Sequence, residues 1–265
     1  MIGLGEALTT ARESGSTLLL PFLTAGLPTA EGSLQVFGAM AEAGADGFEI
    51  GIPYTDPLMD GPVIQRAGLA ALEAGMTLEG AFDLTRRVVD ATMRPSILMT
   101  YVNPVLRLGV DTFCERASEA GADAVIFVDV PVDEAEPFAA ATRRAGIGLV
   151  LFASPTITDE RLDAVVAAEP VFIYGIAELG VTGERSGASP HVSRLAGRVR
   201  ERCDIPLVLG VGISGPTQAA AAAPHADGII VGSAVVRRVL EASSVTDGSS
   251  AAAKLVGEIR SAIDS

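Results

Sequence analysis

Eight short apolar runs, at 17–23, 47–52, 96–101, 124–129, 148–152, 171–174, 206–211 and 228–231, constrain this chain more than any other feature. Most are rich in Val, Ile, Leu or Phe, the composition of parallel strands buried on both faces. Stretches rich in Ala, Glu, Arg and Leu separate them, among them 34–43, 77–91, 112–120, 134–145 and 160–168, and these read as helices. Regular alternation of strand and helix implies parallel βαβ units. A weak internal repeat supports this. Ala43-Gly44-Ala45-Asp46-Gly47, Ala120-Gly121-Ala122-Asp123-Ala124 and His225-Ala226-Asp227-Gly228 each precede a strand, as a helix stop and a turn into the sheet. Eight strands in 265 residues with no domain-sized linker favour a closed (β/α)8 TIM barrel over an open doubly wound sheet. The expectation is a single barrel domain over 1–265. Extra helices are expected between 53 and 94, which has room for a loop and two helices. A second long connection, rich in Gly, Ser and Thr, runs from 175 to 190. The segment 243–250 reads as a polar loop before a last helix at 251–263.

Charge and composition exclude several functions. A formal net charge of −14 opposes a nucleic-acid partner, whose phosphate backbone needs a basic surface. Cys114 and Cys203 have no zinc-ligand spacing, and His191 and His225 are the only histidines, so no metal site is expected. The cysteines read as small apolar fillers. No stretch is long and apolar enough to cross a membrane, and the N-terminus lacks a secretory pattern. The expected location is cytoplasmic.

Acid–base chemistry is written into one segment. In Phe48-Glu49-Ile50-Gly51-Ile52, strand alternation puts the large apolar residues on one face and Glu49 with Gly51 on the other. In a barrel the apolar face packs against the helices, so Glu49 points inward, where an unpartnered carboxylate is costly. The loop that follows holds Pro53, Asp56, Pro57, Asp60 and Pro62. Two acids in different environments suit two protonation tasks. The structural alternatives are a barrel-interior hydrogen bond for Glu49, helix capping for Asp60 and a turn role for Asp56. Asp129, ending the fourth run, is a third candidate acid.

Phosphate is the expected ligand of the last two strand ends. Gly210, Gly212, Ile213, Ser214 and Gly215 follow the seventh run, and Gly232 and Ser233 follow the eighth. Small residues admit an anion to backbone N–H groups, and a helix starting at Ser233 would aim its N-terminus there. Geometry-driven tight turns are the alternative. Gly210, Gly212 and Gly215 also spell GxGxxG, but no acid ends the next strand to hold a ribose, so dinucleotide binding is rejected. Tyr101, Asn103 and Tyr174 lie at strand ends, and Thr182-Gly183 could close a loop over the site.

Together these segments resemble the tryptophan synthase alpha chain family. The resemblance rests on Pro21-Phe22-Leu23-Thr24-Ala25-Gly26, on the run from Glu49 to Gln65, on Tyr101-Val102-Asn103-Pro104, Asp129-Val130-Pro131, Gly180-Val181-Thr182-Gly183 and Gly232-Ser233-Ala234. It implies a lyase that cleaves indole-3-glycerol phosphate to indole and glyceraldehyde 3-phosphate, without a cofactor, in tryptophan biosynthesis. It implies that Glu49 is the general acid–base and that Asp60 holds the indole N–H. By the same resemblance Phe22, Tyr101, Tyr174 and Thr182 line the pocket, and Gly183, Gly212, Ile213, Gly232 and Ser233 bind phosphate. Pro53, Asp56, Asn103 and Gly180 would face a pyridoxal phosphate-dependent beta chain. Tyr54, Thr55, Met59, Val63 and Glu178 depart from common family choices. A stand-alone lyase supplying indole to another pathway is the alternative, and a non-catalytic activator of a synthase is a third reading.

Overall fold

The computed structural model describes residues 2–176, 190–210 and 212–265. Its eight strands are β1 (Leu18–Thr24), β2 (Phe48–Gly51), β3 (Ser96–Thr100), β4 (Ala124–Phe127), β5 (Gly148–Ala153), β6 (Phe172–Ile176), β7 (Leu207–Gly210) and β8 (Gly228–Val231). Each pairs in parallel with the next, and β8 returns to β1, closing the barrel. All eight apolar runs therefore become strands, with ends shifted by a residue or two. Val211 lies outside the described residues.

The helices form the outer layer. They are α1 (Leu4–Ser14), α2 (Ala30–Glu42), α3 (Pro62–Glu73), α4 (Leu78–Thr92), α5 (Val102–Leu108), α6 (Val110–Glu119), α7 (Glu136–Ala145), α8 (Asp159–Ala167), α9 (Pro190–Arg200), α10 (Pro216–Ala222), α11 (Ser233–Leu240) and α12 (Val245–Ile263). The long connection after β2 holds the two expected helices, α3 and α4. Among the described residues no helix is long and apolar enough to cross a membrane.

Aromatic pairs fix the helices to the outward faces of the strands. Phe48 of β2 meets Phe37 of α2 edge-on at 5.1 Å. Phe127 of β4 sits between Phe113 of α6 at 6.0 Å and Phe138 of α7 at 4.8 Å. These rings bury large apolar area and hold the layers in one register.

The repeated aspartates are clamps. Asp46 donates its N–H to the Leu19 carbonyl, and its carboxylate accepts from the Leu19 N–H at 2.8 Å. Asp123 does the same to Ser96, at 3.0 Å, and Asp227 to Leu207, at 2.8 Å. Each aspartate thus ties the start of the preceding strand to the turn that opens its own. The repeat is a barrel-bottom device that satisfies strand-end donors left outside the ladder.

Two elements differ from the sequence reading. α5 starts directly after Tyr101, although Pro104 follows, because Pro104 lies in the first turn, where a missing N–H costs nothing. The segment read as a polar loop at 243–250 is mostly helix: Ser244 caps α12, its side chain accepting from the Asp247 N–H at 3.1 Å. Ser-x-x-Asp is a helix start when the helix behind it buries an apolar face.

The clamps yield a stability test. Asp227 is buried. Asp227→Ala leaves the Leu207 N–H unsatisfied and should destabilise by about 1–3 kcal/mol. Asp227→Asn keeps an acceptor and should recover most of that. Thermal unfolding of both variants distinguishes a clamp from a bystander: equal melting temperatures for Asp227→Ala and wild type would rule the clamp out.

Candidate active site

A cavity of about 550 Å³ opens where the strands end. Its floor is set by alternation, because the inward residues of β1, β2, β3, β6 and β8 meet there: Phe22, Glu49, Met99, Tyr174 and Ile230. Phe22 is in register with Glu49 across the β1–β2 pair. The tip of its ring reaches Gly51, which has no side chain; a Cβ there would stand 2.5 Å from the ring. Gly210 makes the corresponding space for Tyr174, whose hydroxyl would collide with any Cβ at that position.

Glu49 is 2% exposed, and its Oε2 has no hydrogen-bond partner among the described residues. The barrel-interior bond offered as its structural role is therefore not made by that oxygen. Burial disfavours its charged form, and the neighbouring negative charge of Asp60 adds to the effect, so its pKa is raised to about 8. Near neutral pH Glu49 is an undissociated acid facing a cavity, which can donate a proton.

Asp60 ends the proline-rich loop. It does not cap α3, whose N-cap is Gly61 without a side-chain bond. Burial raises its pKa, and a hydrogen bond from Tyr101 opposes that rise. The Tyr101 hydroxyl also accepts from the Met59 N–H at 3.1 Å, so one phenol fixes both the loop and its acid. Tyr101 stacks on Tyr54 at 5.2 Å, and the Asn103 amide donates to the Tyr54 hydroxyl at 2.8 Å. The loop is thereby pinned to the end of β3.

The other expected residues fall in different places. Phe22, Tyr174, Gly212, Ile213, Gly232 and Ser233 line the cavity together with Glu49 and Asp60. Tyr101 does not line it; it stands behind Asp60, because the chain turns into α5 at that residue. Asp129 is engaged elsewhere, accepting from the Val102 N–H at 2.8 Å at the start of α5. Pro53, Asp56 and Asn103 lie at the surface around the acid loop, with Asp56 accepting from the Thr55 hydroxyl at 2.6 Å. Thr182, Gly183, Gly180 and Glu178 lie outside the described residues.

Ser214 of the expected phosphate loop also lines the cavity, and sequence reasoning missed Met99, Ile64, Arg237 and Arg238, which line it too. Alternation from Ile97 on β3 would have found Met99. Helical spacing from Ser233 and Ala234 would have found the two arginines. Among the described residues no group of three or more His, Cys, Asp or Glu side chains gathers to hold a metal.

Comparison with known proteins follows this geometry. The family described as tryptophan synthase alpha chain matches residues 8–263. The tryptophan synthase alpha chain of Phenylobacterium zucineum is 42% identical over 239 residues, 89% of this chain and 86% of the relative. That of Streptomyces avermitilis is 37% identical over 256 residues, 97% and 92% of the two chains. A chain in the structure of Mycobacterium tuberculosis tryptophan synthase matches with a TM-score of 0.87 and 34% identity, covering 99% of both. The tryptophan synthase alpha subunit of Legionella pneumophila gives 0.86 and 32%, covering 97% of both.

Burial of Glu49 makes stability depend on pH. Its folded pKa lies above the ordinary glutamate value of 4.5, so the folded chain binds the extra proton. That contribution is complete below about pH 4.5 and is lost as pH rises through about 8. Glu49→Gln has no charge to bury and should lose less stability between pH 6 and 9, by on the order of 1–3 kcal/mol. Urea unfolding midpoints at the two pH values measure it; parallel losses in both proteins would contradict the buried neutral acid.

Proposed function

The chain belongs to the tryptophan synthase alpha chain family, and from that premise we propose that Glu49 and Asp60 carry its chemistry. It is a carbon–carbon lyase of tryptophan biosynthesis, cleaving indole-3-glycerol phosphate to indole and glyceraldehyde 3-phosphate as the alpha subunit beside a beta chain. The observation that carries the proposal is the buried Oε2 of Glu49, without a hydrogen-bond partner among the described residues, facing the same cavity as Asp60.

Glu49 begins the cycle neutral and protonates the indole ring carbon that bears the glycerol chain. Ring protonation weakens the bond to that chain, because the ring can take back the bonding electrons. The carboxylate left behind is a strong base in its apolar surroundings. It accepts the proton of the adjacent glycerol hydroxyl as the carbon–carbon bond breaks, which restores the neutral acid. Asp60 accepts a hydrogen bond from the indole N–H and stabilises the positive charge that grows on the ring. Tyr101 is a positioning residue, holding Asp60 through its hydroxyl. Phe22 and Tyr174 flank the indole, and Gly212, Ile213, Gly232 and Ser233 bind the phosphate with backbone N–H groups at the start of α11. The proposed roles of Thr182 and Gly183 rest on the motif alone.

The beta-chain face is proposed at the acid loop. Leu58 and Met59, at 89% and 66% exposure, stand beside Asp56, and Asn103 lies exposed next to Tyr54. Exposed apolar side chains on a loop that also carries a catalytic acid suit a docking surface. Gly180 joins this group on the motif alone. We also propose that the whole chain is one barrel domain and that it works in the cytoplasm, where free Cys114 and Cys203 would stay reduced.

An indole-release assay on indole-3-glycerol phosphate tests the assignment. Glu49→Gln should lower turnover by about 10²–10⁴-fold, and Asp60→Asn by about 10²-fold, with far-ultraviolet circular dichroism unchanged. Wild-type kcat/KM should decline as pH rises above about 8, where Glu49 loses its proton. Near-normal turnover of Glu49→Gln would overturn the mechanism. A beta chain should raise the rate; a rate that ignores it would favour the stand-alone lyase.

A further inference from the structure

Helix α11 turns one face to the cavity. Ser233, Ala234, Arg237 and Arg238 all line it, at the three- and four-residue spacing that stacks side chains on one side of a helix. Val235, Val236 and Val239 are buried on the other side. Among the described residues, Arg237 and Arg238 are the only cations on the cavity wall, and none of the ion pairs includes either. Arg238 donates one N–H to the Ala234 carbonyl at 2.9 Å, which ties its guanidinium to the helix and leaves other donors available.

The rest of the molecule makes this pair unusual. The chain has a net charge of −14, and many of its arginines are matched to carboxylates, as Arg116 is to Glu79 and Arg260 to Asp46. Two arginines that pair with no carboxylate among the described residues sit on the wall of a cavity whose β2 side carries Glu49 and Asp60. Phe22 of β1 lies between the two charge groups, in register with Glu49 and against Gly232.

We propose that Arg237 and Arg238 capture the phosphate end of the substrate and set the direction in which it enters. The proposal rests on the reading of the cavity as the indole-3-glycerol phosphate site. A phosphate dianion is repelled by the protein's overall charge, and two guanidinium groups at the mouth reverse the local field. The guanidinium fork matches phosphate oxygens, adding charge to the neutral backbone donors at the start of α11. The Asp60 carboxylate repels the same phosphate, while neutral Glu49 in its apolar surroundings offers the anion no charge, so only one orientation brings the indole ring to Glu49. Neither arginine touches the reacting atoms; both are binding and steering residues.

Steady-state kinetics of Arg237→Gln, Arg238→Gln, the double variant and Arg238→Lys test this. Arg94→Gln, at the exposed turn before β3 and away from the cavity, controls for net charge alone. KM for indole-3-glycerol phosphate should rise about threefold for Arg237→Gln and about tenfold for Arg238→Gln, with larger loss in the double variant and kcat within about twofold. Arg238→Lys should recover part of the loss. Inhibition by inorganic phosphate should weaken in parallel, and the fall of kcat/KM with added salt should flatten in the double variant. Unfolding midpoints identify any variant whose loss comes from the fold. A double variant with unchanged KM and salt response, or one whose loss lies in kcat, would overturn the proposal. So would an equal effect of Arg94→Gln. A wild-type chain that releases no indole would remove the functional reading and this proposal together; a wild type that works normally but ignores both arginines would remove this proposal alone.

Discussion

A carboxyl group held inside a parallel barrel, with one oxygen left unbonded among the described residues, is the constraint around which this site is arranged. Glu49 lies on β2 between Phe48 and Ile50, whose side chains must face the helices, so strand alternation leaves it no direction but inward. The interior there is apolar on most sides, with Phe22, Met99, Tyr174 and Ile230 close by. Ionisation in such surroundings is expensive, and the group stays protonated to about pH 8. A stable protein would be expected to avoid such a residue unless a ligand uses it.

The surrounding geometry is built to keep that acid available and its neighbour distinct. Gly51 and Gly210 omit the side chains that would displace Phe22 and Tyr174. Tyr101 fixes Asp60 and the Met59 backbone at once, so the second acid is set by a phenol anchored at β3 rather than by the loop's own stiffness. Asp60 keeps a hydrogen-bond partner where Glu49 Oε2 has none among the described residues, and this difference divides the proton-transfer role from the charge-stabilising one. On the far side of Phe22 the wall changes sign, with Arg237 and Arg238 on α11. A substrate with an aromatic ring at one end and a phosphate at the other matches that polarity.

Far from the site, the barrel's other end depends on three aspartates. Asp46, Asp123 and Asp227 each exchange two hydrogen bonds with the first residues of the strand before, closing strand ends that the ladder leaves open. The working end can therefore hold a costly buried acid, since registration of the strands is secured at the bottom. This separation of stability and function along the barrel axis is common to the architecture.

Local periodicity made most of the fold legible in the sequence. Eight apolar runs, the helical stretches between them and the inward turn of Glu49 all follow from side-chain alternation and helix spacing, which are properties of neighbouring residues. The Glu49 to Asp60 segment and the glycines after β7 and β8 were legible for the same reason. Three things were decided only by tertiary structure. Tyr101 was assigned to the pocket wall but stands behind Asp60, because the start of α5 redirects the chain after β3. The Ala-Asp repeat carries a turn signal, and its clamping of a strand 20 to 27 residues away cannot be read from the turn itself. Helical spacing puts Arg237 and Arg238 on one face with Ser233 and Ala234, but only closure of β8 against β1 turns that face to the cavity. Sequence alone determined which elements form and which way their side chains point. Tertiary closure decided which of those side chains meet, because the energy of a buried charge or a shared cavity depends on neighbours that the chain brings together only when the barrel is complete.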